Sequence, residues 1–152
     1  MTLALKVRLL TDPLSQGDIL SGVETVTLDE LGTMTRKTIA AIVLTHSCEL
    51  DKPNTKNAIV AELRPMSLVT RQQAELIKES RVLSAVHIGD VPTFGDSFVD
   101  FRELHRVPKF QLANKLTTGR NAALDDEGCV QIAVYLFRFF VRVLPQLPPP
   151  IA

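Results

Sequence analysis

The feature that most constrains the fold is an apolar segment near the C-terminal end, Val130 to Leu144. Its few polar or amphipathic positions are Gln131, Tyr135, Arg138 and Arg142. Their spacings of four, three and four residues place them on one stripe of a helix. An ordinary surface helix buries a single apolar stripe against its own core, whereas the apolar arc here is wider. The fold must therefore wrap this helix on two sides or leave an apolar surface for a partner.

The flanks of this segment define the predicted helix. Asp125, Asp126 and Glu127 place negative charge at its start, where the helix dipole favours it, and Pro145 ends it after Val143. Residues 145–152 are proline-rich and predict a polyproline-like tail. We therefore expect one domain over residues 1–144 followed by this tail.

Composition narrows the class of protein. The chain has 152 residues, 45% hydrophobic residues, only 5% aromatic residues and no tryptophan, so aliphatic side chains must fill a single core. The formal net charge is zero, so no global field attracts nucleic acid or an anionic membrane. The apolar C-terminal segment is shorter than the ~20 residues that span a bilayer and contains two arginines, so we expect no membrane association. Two cysteines are too few for a disulfide scaffold, which favours free thiols and a cytoplasmic protein.

Periodicity predicts an α+β domain with a mostly antiparallel sheet. Ile39 to Leu44 is apolar on both faces and predicts a central strand. Thr70 predicts a helix N-cap with Gln73 completing a capping box. The segment Arg81–Ile88 is compatible with helix or strand. The remaining predicted strands are Leu3–Leu10, Val23–Leu28, Ala58–Leu63 and Ser97–Phe101, with Leu104–Val107 as its continuation or partner, and a short helix is predicted over Lys109–Leu116.

Polar side chains with chemical potential follow the central strand. His46 and Cys48 would share a face of an extended strand, so a thiol with a base beside it is conceivable. Glu49 and Asp51 would raise the pKa of the thiol, so a small buried cysteine is the favoured interpretation. No Cys-x-x-Cys pair supports zinc, and Asp100 with Arg102 predicts a structural ion pair on one strand face. We expect no metal and no cofactor.

A run of basic residues offers a second kind of site. It comprises Arg102, Arg106, Lys109, Lys115 and Arg120. With His105 and Phe110 interleaved, such a run could line a nucleic-acid surface, and RNA is a possible ligand. The alternative is a solvated surface without a partner.

The order of elements resembles the PemK/MazF-like growth-inhibitor superfamily. The matching stretches are Gln16–Leu20, Ala41–Thr45 and Ala58–Val60. The resemblance implies a small, mostly antiparallel SH3-like β-barrel with appended helices, including a long C-terminal helix. The toxins of this family are endoribonucleases that use an Arg before the second strand and a Ser or Thr after the third. The present chain has Ile39-Ala40 and Glu62-Leu63 there, and its His46–Glu49 segment is similar to uncharacterised bacterial proteins in which a strand ends in Ser/Thr-x-Cys-Asp/Glu.

Two hypotheses of function follow. The first is a non-catalytic interaction module of a bacterial or phage toxin–antitoxin or defence system, which binds a protein partner or forms a homodimer through the C-terminal helix. Its candidate partner-binding residues are Tyr135, Phe137, Arg138, Phe139, Phe140 and Arg142. The alternative is a divergent PemK/MazF-like endoribonuclease, in which Arg36, His46 and Glu49 would be catalytic.

Overall fold

A computed structural model describes residues 3–6, 8–9 and 11–141. Within these residues the strands, numbered in chain order, are β1 Leu5–Lys6, β2 Asp18–Leu28, β3 Met34–Val43, β4 Asn57–Pro65, β5 Ala85–Val91, β6 Gly95–Pro108 and β7 Arg120–Leu124. The α-helices are α1 Ser47–Leu50, α2 Arg71–Lys78, α3 Lys109–Asn114 and α4 Asp126–Val141, with a short 3₁₀ helix at Met66–Leu68. The α+β class predicted from the sequence is confirmed.

The strands form one antiparallel sheet in the order β1-β7-β2-β3-β4-β6-β5. β3 lies in the middle of this order, so the prediction of a central strand at Ile39–Leu44 is confirmed for all but its last residue. β1 and β5 are the two edges of the described sheet, which is therefore open rather than closed. The closed SH3-like barrel stays a prediction.

Both faces of the sheet are covered at Ile39–Val43, which explains why this half of β3 is apolar. Ile42, Ala61 and Leu63 belong to the core on the face that α4 covers with Ile132. The neighbouring positions alternate to the opposite face, where Ala41, Val43 and Val60 pack with Leu50 of α1 and Leu112 of α3. A third, smaller core lies beneath α2 and contains Met66, Ile77, Ala85 and Phe98.

Local signals in the sequence place several boundaries correctly. The Thr70 side chain accepts a hydrogen bond from the backbone N–H of Gln73, and the Gln73 side-chain oxygen accepts one from the backbone N–H of Thr70. The predicted capping box is therefore confirmed. The ambiguous segment Arg81–Ile88 ends in a strand, since β5 begins at Ala85. Ser97–Phe101 and Leu104–Val107 are parts of one strand, β6.

The C-terminal helix begins one residue later than predicted. Asp125 precedes it, and its carboxylate accepts a hydrogen bond of 2.7 Å from the backbone N–H of Gly128. The described part of α4 has 16 residues and ends at Val141. The predicted continuation to Val143 and the tail over residues 145–152 lie outside the described residues. No helix in the described part of the chain is long and apolar enough to cross a membrane.

Candidate functional site

One side of α4 packs against the protein's own core. Ile132 is fully buried there, and Tyr135, Leu136 and Phe139 are partly buried against the same core. The ring of Phe139 lies 6.0 Å from the ring of Phe101 on β6. This contact fixes the rotation of α4 about its axis.

The opposite side of α4 is apolar and open to solvent. Val130, Phe137 and Phe140 are each 64% exposed, and Val134 and Val141 are exposed as well. With the exposed Ala133 between them, these positions recur at intervals of three and four residues and form one helix face. We call Val130, Ala133, Val134, Phe137, Phe140 and Val141 the α4 apolar face. Of the two outcomes that the sequence leaves open, the described residues have the uncovered apolar surface.

The predicted partner-binding residues divide between the two sides of α4. Phe137 and Phe140 lie on the α4 apolar face, whereas Phe139 packs inward. Tyr135 also faces its own chain, and its hydroxyl donates a hydrogen bond of 3.0 Å to Ser80 Oγ. The Arg138 guanidinium lies 5.6 Å from the centre of the Tyr135 ring. Arg142 lies outside the described residues.

The stripe of polar and amphipathic residues therefore does not face solvent along its whole length, because Tyr135 packs against the core. A tyrosine can bury its ring and still satisfy its hydroxyl through one partner, which Ser80 supplies here. Sequence periodicity counts Tyr135 as a polar position and therefore does not reveal that its ring packs against the core.

A cavity of about 640 Å³ borders the α4 apolar face. Val130, Val134 and Phe137 form its apolar wall. Its polar wall includes Lys6, Arg8, Gln16, His46 and Ser47. Lys6, Arg8 and Gln16 could not be identified as site residues from the sequence, because only the tertiary fold brings them to α4.

The α4 apolar face also borders a second cavity, at Phe140. This cavity, of about 490 Å³, lies where Leu136 and Phe140 meet the strands. Leu44, Ile59 and Leu104 line it on the sheet side. An apolar groove on each side of exposed phenylalanines is the type of surface that seats side chains of another protein.

The polar segment after β3 folds differently from its prediction. Ser47–Leu50 is a helical turn, α1, rather than the end of an extended strand, and His46 is its N-cap. His46 Nδ1 accepts a hydrogen bond from the backbone N–H of Cys48 and lies 2.9 Å from Cys48 Sγ. The pairing of imidazole and thiol thus arises from helix capping, not from strand alternation. The interpretation of Cys48 as a buried core residue is wrong, because Cys48 is exposed.

The residues assigned to ribonuclease chemistry are not gathered at one site. Arg36 lies on β3 seven positions before Val43, and a strand rises about 3.3 Å per residue, so roughly 23 Å separates it from the end of β3 that leads to His46. Glu49 forms an ion pair with Lys52. A base and a cation must reach the same phosphate for catalysis, and Arg36 and His46 do not meet that requirement.

The predicted basic surface is also dispersed. The prediction that Arg120 belongs to a basic surface is wrong, because its side chain is only 3% exposed and pairs with Asp18. Lys109 donates hydrogen bonds to the carbonyl oxygens of Leu50 and Lys52, so it closes the end of α1. Arg106 is exposed and Lys115 is half-buried.

The ion pair between Asp100 and Arg102 is confirmed. Arg102 donates from Nε and from Nη2 to the two oxygens of the Asp100 carboxylate at 2.9 and 2.7 Å, and its backbone N–H donates as well. Burial raises the pKa of Asp100, but the hydrogen bonds and positive charge of Arg102 outweigh burial and hold the pKa below its usual 3.8.

This pair predicts a pH dependence of stability. Because the folded protein binds the Asp100 proton less readily than the unfolded chain, the carboxylate stabilises the fold above about pH 4 and ceases to do so as the pH falls further. Asp100→Asn should lower the free energy of unfolding by about 1.5–3 kcal/mol at neutral pH. Urea titrations should show this difference shrinking below about pH 4. Glu79→Gln is the exposed control. If Asp100→Asn and Glu79→Gln changed the free energy of unfolding equally and independently of pH, a stabilising role for the Asp100 carboxylate would be contradicted.

Comparison with known proteins adds no family. No family model matches the sequence, and no curated protein matches it.

Proposed function

We propose that the protein is a non-catalytic interaction module that binds through the α4 apolar face. The observation that carries this proposal is the exposure of Val130, Val134, Phe137 and Phe140 on one side of a helix whose other side already fills the core. Burial of each such side chain is worth about 1.5–3 kcal/mol. Soluble monomers rarely leave a contiguous apolar surface of this kind open to water.

The direct occupant of this face is a second copy of the chain. The first turn of α4 carries Asp126 and Glu127, and its last described turn carries Arg138. Two α4 helices that pack antiparallel would place the acidic end of each beside the basic end of the other. Such a two-fold contact would be self-complementary in charge, as isologous dimers require.

The biological setting that we propose is a bacterial or phage toxin–antitoxin or defence system. The support is the resemblance of Gln16–Leu20, Ala41–Thr45 and Ala58–Val60 to the PemK/MazF-like superfamily, and the SH3-like barrel belongs to the same proposal. In such a setting, the α4 apolar face would pair two subunits or hold a regulatory protein. The ribonuclease alternative is not supported, because Arg36 and His46 lie too far apart to act on one phosphate.

Light scattering after size exclusion tests the binding function. The wild-type chain should have the mass of a dimer, and Phe140→Glu should have the mass of a monomer with an unchanged circular dichroism spectrum. A wild-type monomer that also shows no affinity for apolar surfaces would contradict the proposal.

An RNA assay separates the two hypotheses. Structured and unstructured RNA should remain intact with the wild type, with and without magnesium. Cleavage by the wild type that is lost in His46→Ala would instead establish the ribonuclease.

A further inference from the structure

Three potential metal ligands meet at β4 and β6. The carboxylates of Glu62 and Glu103 and the imidazole of His105 each place a donor atom within 4.8 Å of the other two. Glu103 and His105 are two residues apart on β6, so strand alternation directs them to the same face. His105 is opposite Val60 in the ladder, and Val60 is two residues before Glu62. All three side chains therefore project from one face of the sheet.

A β-bulge lies at this point. The ladder between β4 and β6 shifts register after Ala61, which pairs with Leu104, while the next residue, Glu62, pairs with Asp100. Bulges bend a strand locally and change the direction of its side chains, and they are frequent beside functional sites. Here Glu103 lies within the extra length of β6 and is released from ladder pairing.

The imidazole of His105 carries a buried nitrogen that the protein's own groups do not satisfy. Its side chain is 8% exposed, and its Nε2 atom is buried with no hydrogen-bond partner among the residues that the structure describes. The Glu103 carboxylate lies 4.0 Å from this nitrogen, which is too long for a hydrogen bond. Donor atoms that share a Zn²⁺ ion lie about 2.0–2.2 Å from it and hence roughly 3–4 Å from each other. The separation of Nε2 from Glu103 thus suits an ion between them.

A positive group already neutralises part of the site. Lys37 Nζ on β3 donates to both carboxylate oxygens of Glu62 at 2.8 Å. The Lys37 side chain is half-exposed, whereas Glu62 is buried. An incoming cation would compete with Lys37 for Glu62, and an exposed lysine can move into solvent at little cost.

We propose that Glu62, Glu103 and His105 bind a divalent first-row transition metal ion, with Lys37 as its competitor. A mixed set of one imidazole and two carboxylates suits Zn²⁺ or Mn²⁺ better than calcium, which takes oxygen ligands. Three protein donors leave at least one coordination position for water. All three ligands come from the sheet and none from α4, although His105 also lines the second cavity with Phe140, so metal binding is tested separately from association.

Calorimetric titration of the full chain with Zn²⁺ tests the site. The wild type should bind one equivalent. Glu103→Gln and His105→Ala should each weaken zinc binding by about 100-fold or more. Each variant removes a ligand itself, and loss of a residue that only supports a ligand already costs up to about 100-fold. Glu103 is half-exposed, so its variant should fold normally. Lys37→Met should strengthen binding several-fold, since it removes the competing cation.

His46→Ala is the matched control, because His46 is a second imidazole beside a potential zinc ligand, the thiol of Cys48 at 2.9 Å. This variant should bind as the wild type does. Two results would overturn the proposal: no saturable binding by the folded wild type, or binding that survives in Glu103→Gln and His105→Ala.

Discussion

Replacement of Arg120 by methionine is expected to lower the free energy of unfolding by about 3–5 kcal/mol, because it leaves a buried carboxylate without one of its two cations. Asp18 is fully buried between Arg120 at 3.2 Å and Arg8 at 3.4 Å. Arg120 also donates to the carbonyl oxygens of Leu9 and Asp12, so its loss releases the segment before β2 as well.

The pH dependence of this loss identifies its cause. Burial raises the pKa of Asp18, although a backbone hydrogen bond from Ser15 and the charges of Arg120 and Arg8 lower it. A group whose pKa is raised in the folded state favours the fold most when protonated, and its stabilising effect declines as the pH rises. Without Arg120 the pKa should rise further, so the deficit of the variant should be smaller in acid than at neutral pH.

Chemical unfolding monitored by circular dichroism measures both effects. Lys52→Met is the control, because Lys52 forms an exposed ion pair with Glu49 and its replacement should barely change the free energy of unfolding. Equal losses for Arg120→Met and Lys52→Met would show that Asp18 does not depend on Arg120.

The second large effect concerns association. Phe137→Glu should raise the dissociation constant of the dimer by roughly 30-fold or more, because truncation of a central aromatic contact costs about 2 kcal/mol and a buried unpaired charge adds to that cost. Phe137 is exposed in the single chain and lines the cavity beside α4. Its replacement should therefore leave the unfolding midpoint nearly unchanged at protein concentrations where the wild type is also monomeric.

Phe110→Glu is the matched control for this experiment. Phe110 is 70% exposed on α3, so the substitution has the same chemistry at a comparable exposure on another helix. Sedimentation velocity should give the wild-type dissociation constant for this variant. A similar weakening in both variants would mean that general surface hydrophobicity, rather than the α4 apolar face, drives association.

Features set by neighbouring residues could be predicted from the sequence. The apolar run Ile39–Leu44 indicates burial on both faces wherever its partners lie. The capping box of Thr70 and Gln73 and the ion pair of Asp100 and Arg102 each join residues two or three positions apart. Such short-range geometry depends on the local backbone alone.

Features that depend on tertiary packing could not be predicted. The burial of Arg120 follows from Asp18, about a hundred positions away and on the neighbouring strand β2. The meeting of Glu62 with His105 requires the register of β4 against β6 and its bulge. His46 is a helix N-cap because a single helical turn, α1, forms where the sequence pattern predicts the end of a strand. No periodicity in the sequence encodes these contacts.

Disulfide cross-linking tests the central claim most directly. Val134 lies near the middle of the α4 apolar face, so in an antiparallel two-fold pair it should lie close to its own copy. In a background with Cys48→Ser and Cys129→Ala, Val134→Cys should form a covalent dimer rapidly under mild oxidation, whereas Phe110→Cys should not. Cross-linking of Val134→Cys no faster than that of Phe110→Cys would contradict the account.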